Sequence, residues 1–349
     1  MKIIANSDHR AHHASHEFFR GRKVDAFETP ERLDGVMSAL SAAGWAEFVT
    51  PERFADATIS AVHDTRYLRF LEGAHAEHLA LGGAGDAFPA AWPIRGMRAD
   101  VEPLNFAARL GLYSFDSGTP LTAGSWTAAR AGADCALTGA RLVAQGEHSA
   151  FVLTRPPGHH AGRDFFGGYC FLNNAAIAAE WLLTHGQRRV AILDVDYHHG
   201  NGTQAIFYDR ADVLFVSIHA DPRTDYPFYL GHADEAGEGT GRGFNLNLPL
   251  AQGSSPETWF EALAVALDRV RAHAPDTLIV SLGVDTYEAD PICAFRLRTG
   301  TDYPRLGREV AMLDLPTLWV MEGGYAVEAI GANVTATLGG FLGRGQRTD

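Results

Sequence analysis

The chain has 349 residues, 46% hydrophobic and 20% charged, which is enough apolar material for one large globular core and not the composition of a membrane protein. Its formal net charge of −13 comes without a Lys/Arg run or basic stripe, so neither nucleic acid nor an anionic membrane is expected as partner. Three widely spaced cysteines (Cys135, Cys170, Cys293) suggest neither a disulfide framework nor a thiolate metal site, and no window approaches the roughly 18 uninterrupted apolar residues of a membrane span.

The N-terminus, Met1 to His9, runs into polar residues too early for a signal-peptide core, so a cytoplasmic protein is expected. His9, His12, His13 and His16 follow, but without a regular spacing to acidic partners they are not expected as metal ligands. The stretch Ala74–Gly124, rich in Gly, Pro and Ala with isolated aromatics, breaks the rhythm of the chain. It reads as an insertion near a site, with no second domain.

From there strands and helices alternate. A helix is expected over Ser125–Gln145, then a strand over Ala150–Thr154 that runs into Arg155-Pro-Pro-Gly-His-His-Ala161. A helix over Asn173–His185 precedes a strand over Val190–Asp194, which opens Asp194-Val-Asp-Tyr-His-His-Gly-Asn-Gly202. After the strand Val213–Ile218, the glycine-rich run Gly237–Gly243 is not followed by a helix start; it reads as a mobile loop, not a phosphate cradle. Ser255 caps and Pro256 starts a helix reaching His273. The strand Thr277–Leu282 leads into Ser281–Thr286, a helix covers Asp302–Leu313, the strand Thr317–Met321 leads into Met321-Glu-Gly-Gly-Tyr325, and a helix covers Val327–Leu342. This is the pattern of an α/β chain: a single domain over 1–349 whose central, mostly parallel sheet is flanked by helices on both faces.

All four polar clusters lie at the carboxyl ends of strands, where sites in open α/β sheets form. Asp194, Asp196 and His198 alternate, so a locally extended backbone points them the same way. With Asp285, the pair Asp196 and His198 makes a three-ligand metal site that keeps a position open, as catalytic zinc requires. Two carboxylates and one imidazole also suit Fe²⁺ or Mn²⁺. A bound ion would acidify water and polarise a carbonyl, His159 and His160 would handle protons, and Tyr325 would donate to an oxyanion. The parts describe metal-assisted hydrolysis of an amide or ester.

Arg155–Ala161, Gly167-Gly-Tyr-Cys-Phe-Leu-Asn-Asn174, Asp194–Gly202, Ser281–Thr286 and Met321–Tyr325 resemble the motifs of the histone deacetylase superfamily, and the similarity runs from Asp8 to the last helix. Within it the chain is most similar to the bacterial acetylpolyamine amidohydrolases. The resemblance implies the arginase/deacetylase fold and Zn²⁺ on Asp196, His198 and Asp285. It implies Asp194 as partner of His159 and Asn201 as partner of His160. The charged partner favours an imidazolium and the neutral one a neutral base, which makes His160 the general base and His159 its electrostatic neighbour. Tyr169, Tyr226 and Ile292 match tunnel walls, and the Gly168 carbonyl matches an acceptor for the substrate amide N–H. Structural K⁺ is implied at Asp194, Asp196, His198, Ser217 and Ile218, and at Phe207, Arg210 and Val213.

Ala107 and Gly118 stand where relatives carry carboxylates for polyamines, while Glu17 matches an acidic position and Asp116 lies beside Gly118. Small acetylated diamines, acetylputrescine or acetylcadaverine, are therefore the expected substrates. The insertion is expected to shape the tunnel mouth and a homodimer interface. The alternatives are a deacetylase of acetyl-lysine in proteins and, in a different class, a non-catalytic polyamine-binding protein.

Overall fold

Five runs that read as strands from their Val, Ile, Leu and Phe content form the contiguous middle of an eight-stranded sheet. The computed structural model describes residues 1–343, so the last residues of the expected 1–349 domain lie outside the described part. In chain order the strands are β1 (Lys2–Ala5), β2 (His16–Phe19), β3 (Arg22–Asp25), β4 (Glu47–Val49), β5 (Ser149–Leu153), β6 (Val190–Asp194), β7 (Val213–Ala220), β8 (Asn245–Leu250), β9 (Thr277–Leu282) and β10 (Thr317–Met321). The sheet order is β4-β1-β5-β10-β9-β6-β7-β8, with every neighbouring pair parallel. Strands β2 and β3 form a separate antiparallel hairpin.

The period of two along each strand sorts side chains between two cores. Ile4, Val152, Ile192, Phe215, Ile279 and Val320 face one side, against helices Ser125–Ala144 and Asn174–Thr184. Ile3, Phe151, Leu193, Val216, Val280 and Trp319 face the other, against helices Glu31–Ala42, Pro256–His273, Asp302–Ala311 and Val327–Phe341. Each such aliphatic side chain contributes roughly 1.5–3 kcal/mol by leaving water, which is why the central strands tolerate almost no polar residue until their carboxyl ends.

The expected helices hold to within two residues at each end, and Ser255 caps its helix by accepting from the Thr258 N–H at 3.4 Å. The edge strands β4 and β8 and the four-residue β1 beside β4 escaped the pattern because they are short or half exposed; β8 alternates Asn and Leu and carries Pro249. Two expectations are corrected. The stretch 74–124 is not uniformly irregular, since helix Thr65–Ala80 enters it and helix Phe106–Leu112 lies inside it. The glycine-rich run 237–243 is no free loop: the N–H of Glu238 donates to Tyr208 and that of Gly243 to Ala236, and Gly241 is buried.

Candidate functional site

Four neighbouring strands, β5, β10, β9 and β6, end side by side and release the four polar clusters into one place. Beyond β6, Asp196 and His198 turn to the same point as Asp285 beyond β9. His198 Nδ1 lies 3.1 Å from Asp285 Oδ2 and 3.3 Å from Asp196 Oδ1. The backbone holds the remaining carboxylate oxygens: the Gly323 N–H donates to Asp196 Oδ2 at 2.8 Å and the Tyr197 N–H to Asp285 Oδ1 at 2.9 Å. A Cβ at Gly323 would meet both carboxylates, so only glycine lets the backbone come this close.

Both aspartates are fully buried, and among the described residues no lysine or arginine pairs with either. Burial, then the charge of Asp196, pushes Asp285 above the usual carboxylate range. Two buried carboxylates and one imidazole, with no lysine or arginine beside them among the described residues, form a donor set that fits a divalent ion of borderline hardness. Cys293, expected to stand apart from metal chemistry, has its thiol grouped with His198 and Asp285 within 4.8 Å. Burial raises that thiol well above its usual range, which keeps it protonated.

His159 and His160 leave the end of β5 with ring centroids 4.0 Å apart. His159 Nδ1 lies 2.9 Å from Asp194 Oδ2, and His160 Nδ1 lies 2.6 Å from Asn201 Oδ1. Burial opposes charge on His159, but Asp194 and Asp196 outweigh it and lift that imidazole to about 10. Burial, then the charges of His159 and His198, drives His160 well below its usual range. The two rings therefore differ in protonation at neutral pH.

Tyr325 follows β10 on the Gly323-Gly324 turn. Its N–H donates to Asp290 Oδ2 at 2.7 Å, and the Arg32 guanidinium lies 4.7 Å from its ring centroid. Burial raises its hydroxyl well above the usual range, so it stays a donor. Sequence reasoning missed the supports of this turn. Arg32 donates to the Gly324 and Glu322 carbonyls at 2.6 and 2.7 Å. Glu28 joins Arg32 to Arg155, and although burial works against its charge, the two guanidiniums hold it down to about 2. Glu322 accepts the N–H groups of Gly158 and His159 at 2.6 and 3.1 Å, anchoring the histidine loop to β10.

The site opens into a cavity of about 810 Å³ whose lining includes His160, His198, Tyr169, Tyr226, Phe115 and Ile292. Phe115 and Tyr226 stack at 5.8 Å, and the Tyr226 ring lies 5.1 Å from His160. Gly168 (φ 54°) touches the His160 ring, which a side chain there would strike. Glu17 and Asp116 also line the cavity. Glu17 accepts from the Tyr169 hydroxyl at 2.7 Å and the Phe27 N–H at 3.1 Å. Asp116 accepts from the Gly168 N–H at 2.6 Å and the Tyr226 hydroxyl at 2.7 Å, besides Gly118 and Thr119, so its oxygens brace the walls.

Other sequence candidates lie apart. His9 faces Asp34, His12 bonds Ser125 at 2.9 Å, and His16 stacks on Phe88. Gly118 lines the cavity, whereas Ala107 sits exposed on its helix and does not. Ser217 Oγ is 2.8 Å from His219 Nδ1, and the Arg210 guanidinium is bound by Asp212 and Glu180.

The histone deacetylase domain matches residues 26–341. Acetylpolyamine amidohydrolase 2 of Pseudomonas aeruginosa is 53% identical over 343 residues, covering 98% of this chain and 99% of that protein. Acetylpolyamine amidohydrolase of Mycoplana ramosa is 45% identical over 343 residues, covering 98% of this chain and 100% of that protein. The crystal structure of an acetylpolyamine aminohydrolase from Burkholderia pseudomallei superposes with a TM-score of 0.93 at 41% identity, over 99% of each chain.

Proposed function

The chain belongs to the histone deacetylase family, and we propose that it is a metal-dependent amidohydrolase that removes acetyl groups from small acetylated amines. The observation that carries this reading is the pair of adjacent imidazoles, one bonded to the Asp194 carboxylate and the other to the Asn201 amide oxygen, beside the Asp196, His198 and Asp285 donor set. Relatives at 53% and 45% identity bear the name acetylpolyamine amidohydrolase.

Asp196, His198 and Asp285 would hold the ion; zinc is the first choice, and Fe²⁺ or Mn²⁺ fits the same donors. When bound, a divalent cation there supplies Lewis acidity toward a carbonyl and an attacking water. Asn201 Oδ1 accepts the His160 Nδ1 proton, which leaves the Nε2 lone pair free to take a proton from water. His160 then returns that proton to the leaving amine. His159, held as an imidazolium by Asp194, stabilises negative charge as it develops, and the Tyr325 hydroxyl donates to the oxyanion. Tyr169, Tyr226, Phe115 and Ile292 line the path of an extended acyl-amine chain, and the Gly168 carbonyl takes its amide N–H. Structural K⁺ belongs to the same reading, at the backbone around Asp194, Asp196, His198, Ser217 and Ile218 and at Phe207, Arg210 and Val213.

The insertion carries exposed Ile94, Met97, Val101 and Leu104, with Leu104 98% exposed. An apolar surface of this kind is normally covered, which supports a homodimer joined through the insertion and a mouth too narrow for folded protein. The test is acetate release by zinc-loaded protein from acetylated diamines, acetylated polyamines and acetyl-lysine peptides. Turnover of the small amines above the peptides is expected. Faster turnover of the peptides would move the assignment to a protein deacetylase, and no acetate from any of them would sink the reading.

A further inference from the structure

Three of the five non-glycine residues with positive φ line a single cavity: Arg20 (φ 50°), Tyr169 (φ 65°) and Phe228 (φ 67°). A left-handed backbone disfavours such side chains, and it persists where surrounding structure enforces it, often around a ligand. Tyr169 shows the use made of it here, since its ring forms a wall beside Tyr325 at 5.7 Å. Arg20 is the only arginine or lysine among the residues that line the cavity.

Arg20 and Gly21 (φ 74°) form the two-residue turn between β2 and β3, with Phe19 paired to Arg22 across it. A turn with both central φ angles positive is filled without strain by Asn-Gly. Arginine costs more there and gains little locally, with its Cζ 5.1 Å from the Phe19 ring centroid and no carboxylate partner among the described residues. Exposure marks depth in the cavity. His160 and Tyr325 are 3% and 7% exposed at the floor, while Tyr229 is 86% exposed at the rim. Arg20 is exposed and stands at the rim, whereas the buried carboxylate of Glu17 and that of Asp116 lie deeper.

Charge therefore changes sign along the cavity, from acidic inside to basic at the mouth. We propose that Arg20 is a length gate, a specificity-determining residue that admits acetylated diamines and discriminates against acetylated polyamines. The remaining ammonium of an acetylated diamine stays inside, among Glu17, Asp116 and the aromatic walls. An acetylated polyamine must bring a further ammonium past the guanidinium, and like charges a few ångströms apart in a partly solvated mouth repel by an amount on the order of tenfold in relative rate. Arg22 and Lys23 are exposed on the same hairpin. The gate rests on the reaction proposed above.

The experiment measures kcat/KM for acetylputrescine and for N8-acetylspermidine with the wild-type enzyme, Arg20→Gly, Arg20→Asn and Arg20→Lys, at low and high salt. Glycine and asparagine both accept the left-handed turn, so these variants keep the hairpin. The spermidine-to-putrescine ratio should rise about tenfold in Arg20→Gly and Arg20→Asn and stay at the wild-type value in Arg20→Lys. Added salt should raise the wild-type ratio toward that of Arg20→Gly. A ratio that does not move in Arg20→Gly, or a wild-type preference for the longer amine, would overturn the gate while leaving the reaction standing. No acetate from either amine with any of these proteins would overturn the reaction, and the gate with it.

Discussion

Arg32 holds the turn that presents Tyr325: its guanidinium lies 4.7 Å from the tyrosine ring while two of its nitrogens donate to the carbonyls of Gly324 and Glu322. The hydroxyl and the turn can therefore be disturbed separately. Tyr325→Phe removes a donor that bonds no group among the described residues, so the fold and metal content should be unchanged while kcat falls by roughly 10²–10³-fold. Arg32→Lys cannot span the two carbonyls and Glu28 together, and it should lower kcat and thermal stability at once. Thermal melts beside kinetics check both; a stable Arg32→Lys protein with full activity would show that the turn needs no such support.

Asn201→Asp places a carboxylate where a neutral amide oxygen now meets His160 Nδ1 at 2.6 Å. A negative partner favours the imidazolium, so the proton affinity of His160 rises and less of it is free base at a given pH. The acidic limb of kcat/KM should move to higher pH by about one unit or more. A pH profile with an unmoved limb would remove His160 as the base.

Burial pushes Glu17 up to about 7, against the hydrogen bonds from Tyr169 and the Phe27 N–H. The group is neutral below that value and anionic above it, so KM for an acetylated diamine should fall as pH rises through about 7, and Glu17→Gln should flatten the dependence. The sign for stability is the reverse. The folded pKa lies above the ordinary 4.5, so the contribution is complete below that value and is lost as pH rises through about 7. Urea midpoints of Glu17→Gln should decline less over that window than those of the wild type.

Asp196 and Asp285 repel each other in a site where, among the described residues, only the imidazoles of His198 and His159 stand close enough to offset them. Dialysis against a chelator should abolish acetate release and lower the melting temperature, and a stoichiometric divalent cation should restore both. Asp285→Ala should lose the metal under conditions where the wild type retains it, as read by elemental analysis.

The central strands were legible because strands buried on both faces must be mostly apolar, and every residue of β5, β6, β9 and β10 is buried. Edge strands obey no such rule, and β8 hides behind alternating asparagines. Within the site, the residues expected to meet do so where their types are demanded by chemistry: Asp196, His198 and Asp285 converge, and His159 and His160 find Asp194 and Asn201. Glu322, Asp290, Arg32 and Glu28 were not legible, because each works by holding backbone groups or other charges that only folding brings near. Glu322 did stand inside a recognised cluster, where an acidic residue directly after a buried strand was the available signal.

The placement of the four polar clusters on four adjacent central strands has a consequence for motion. Amide exchange at the ends of β5, β10, β9 and β6 should require global opening, since each is flanked by strands on both sides. The two-stranded hairpin that carries Arg20 pairs with no strand of that sheet, so the amides of its turn should exchange by local opening. Reaction centre and rim should therefore belong to different regimes of stability, the ends of the central strands exchanging with the whole molecule and the turn at Arg20 before it. Random variation at the rim can retune which amine enters without ever loosening the groups that cut it.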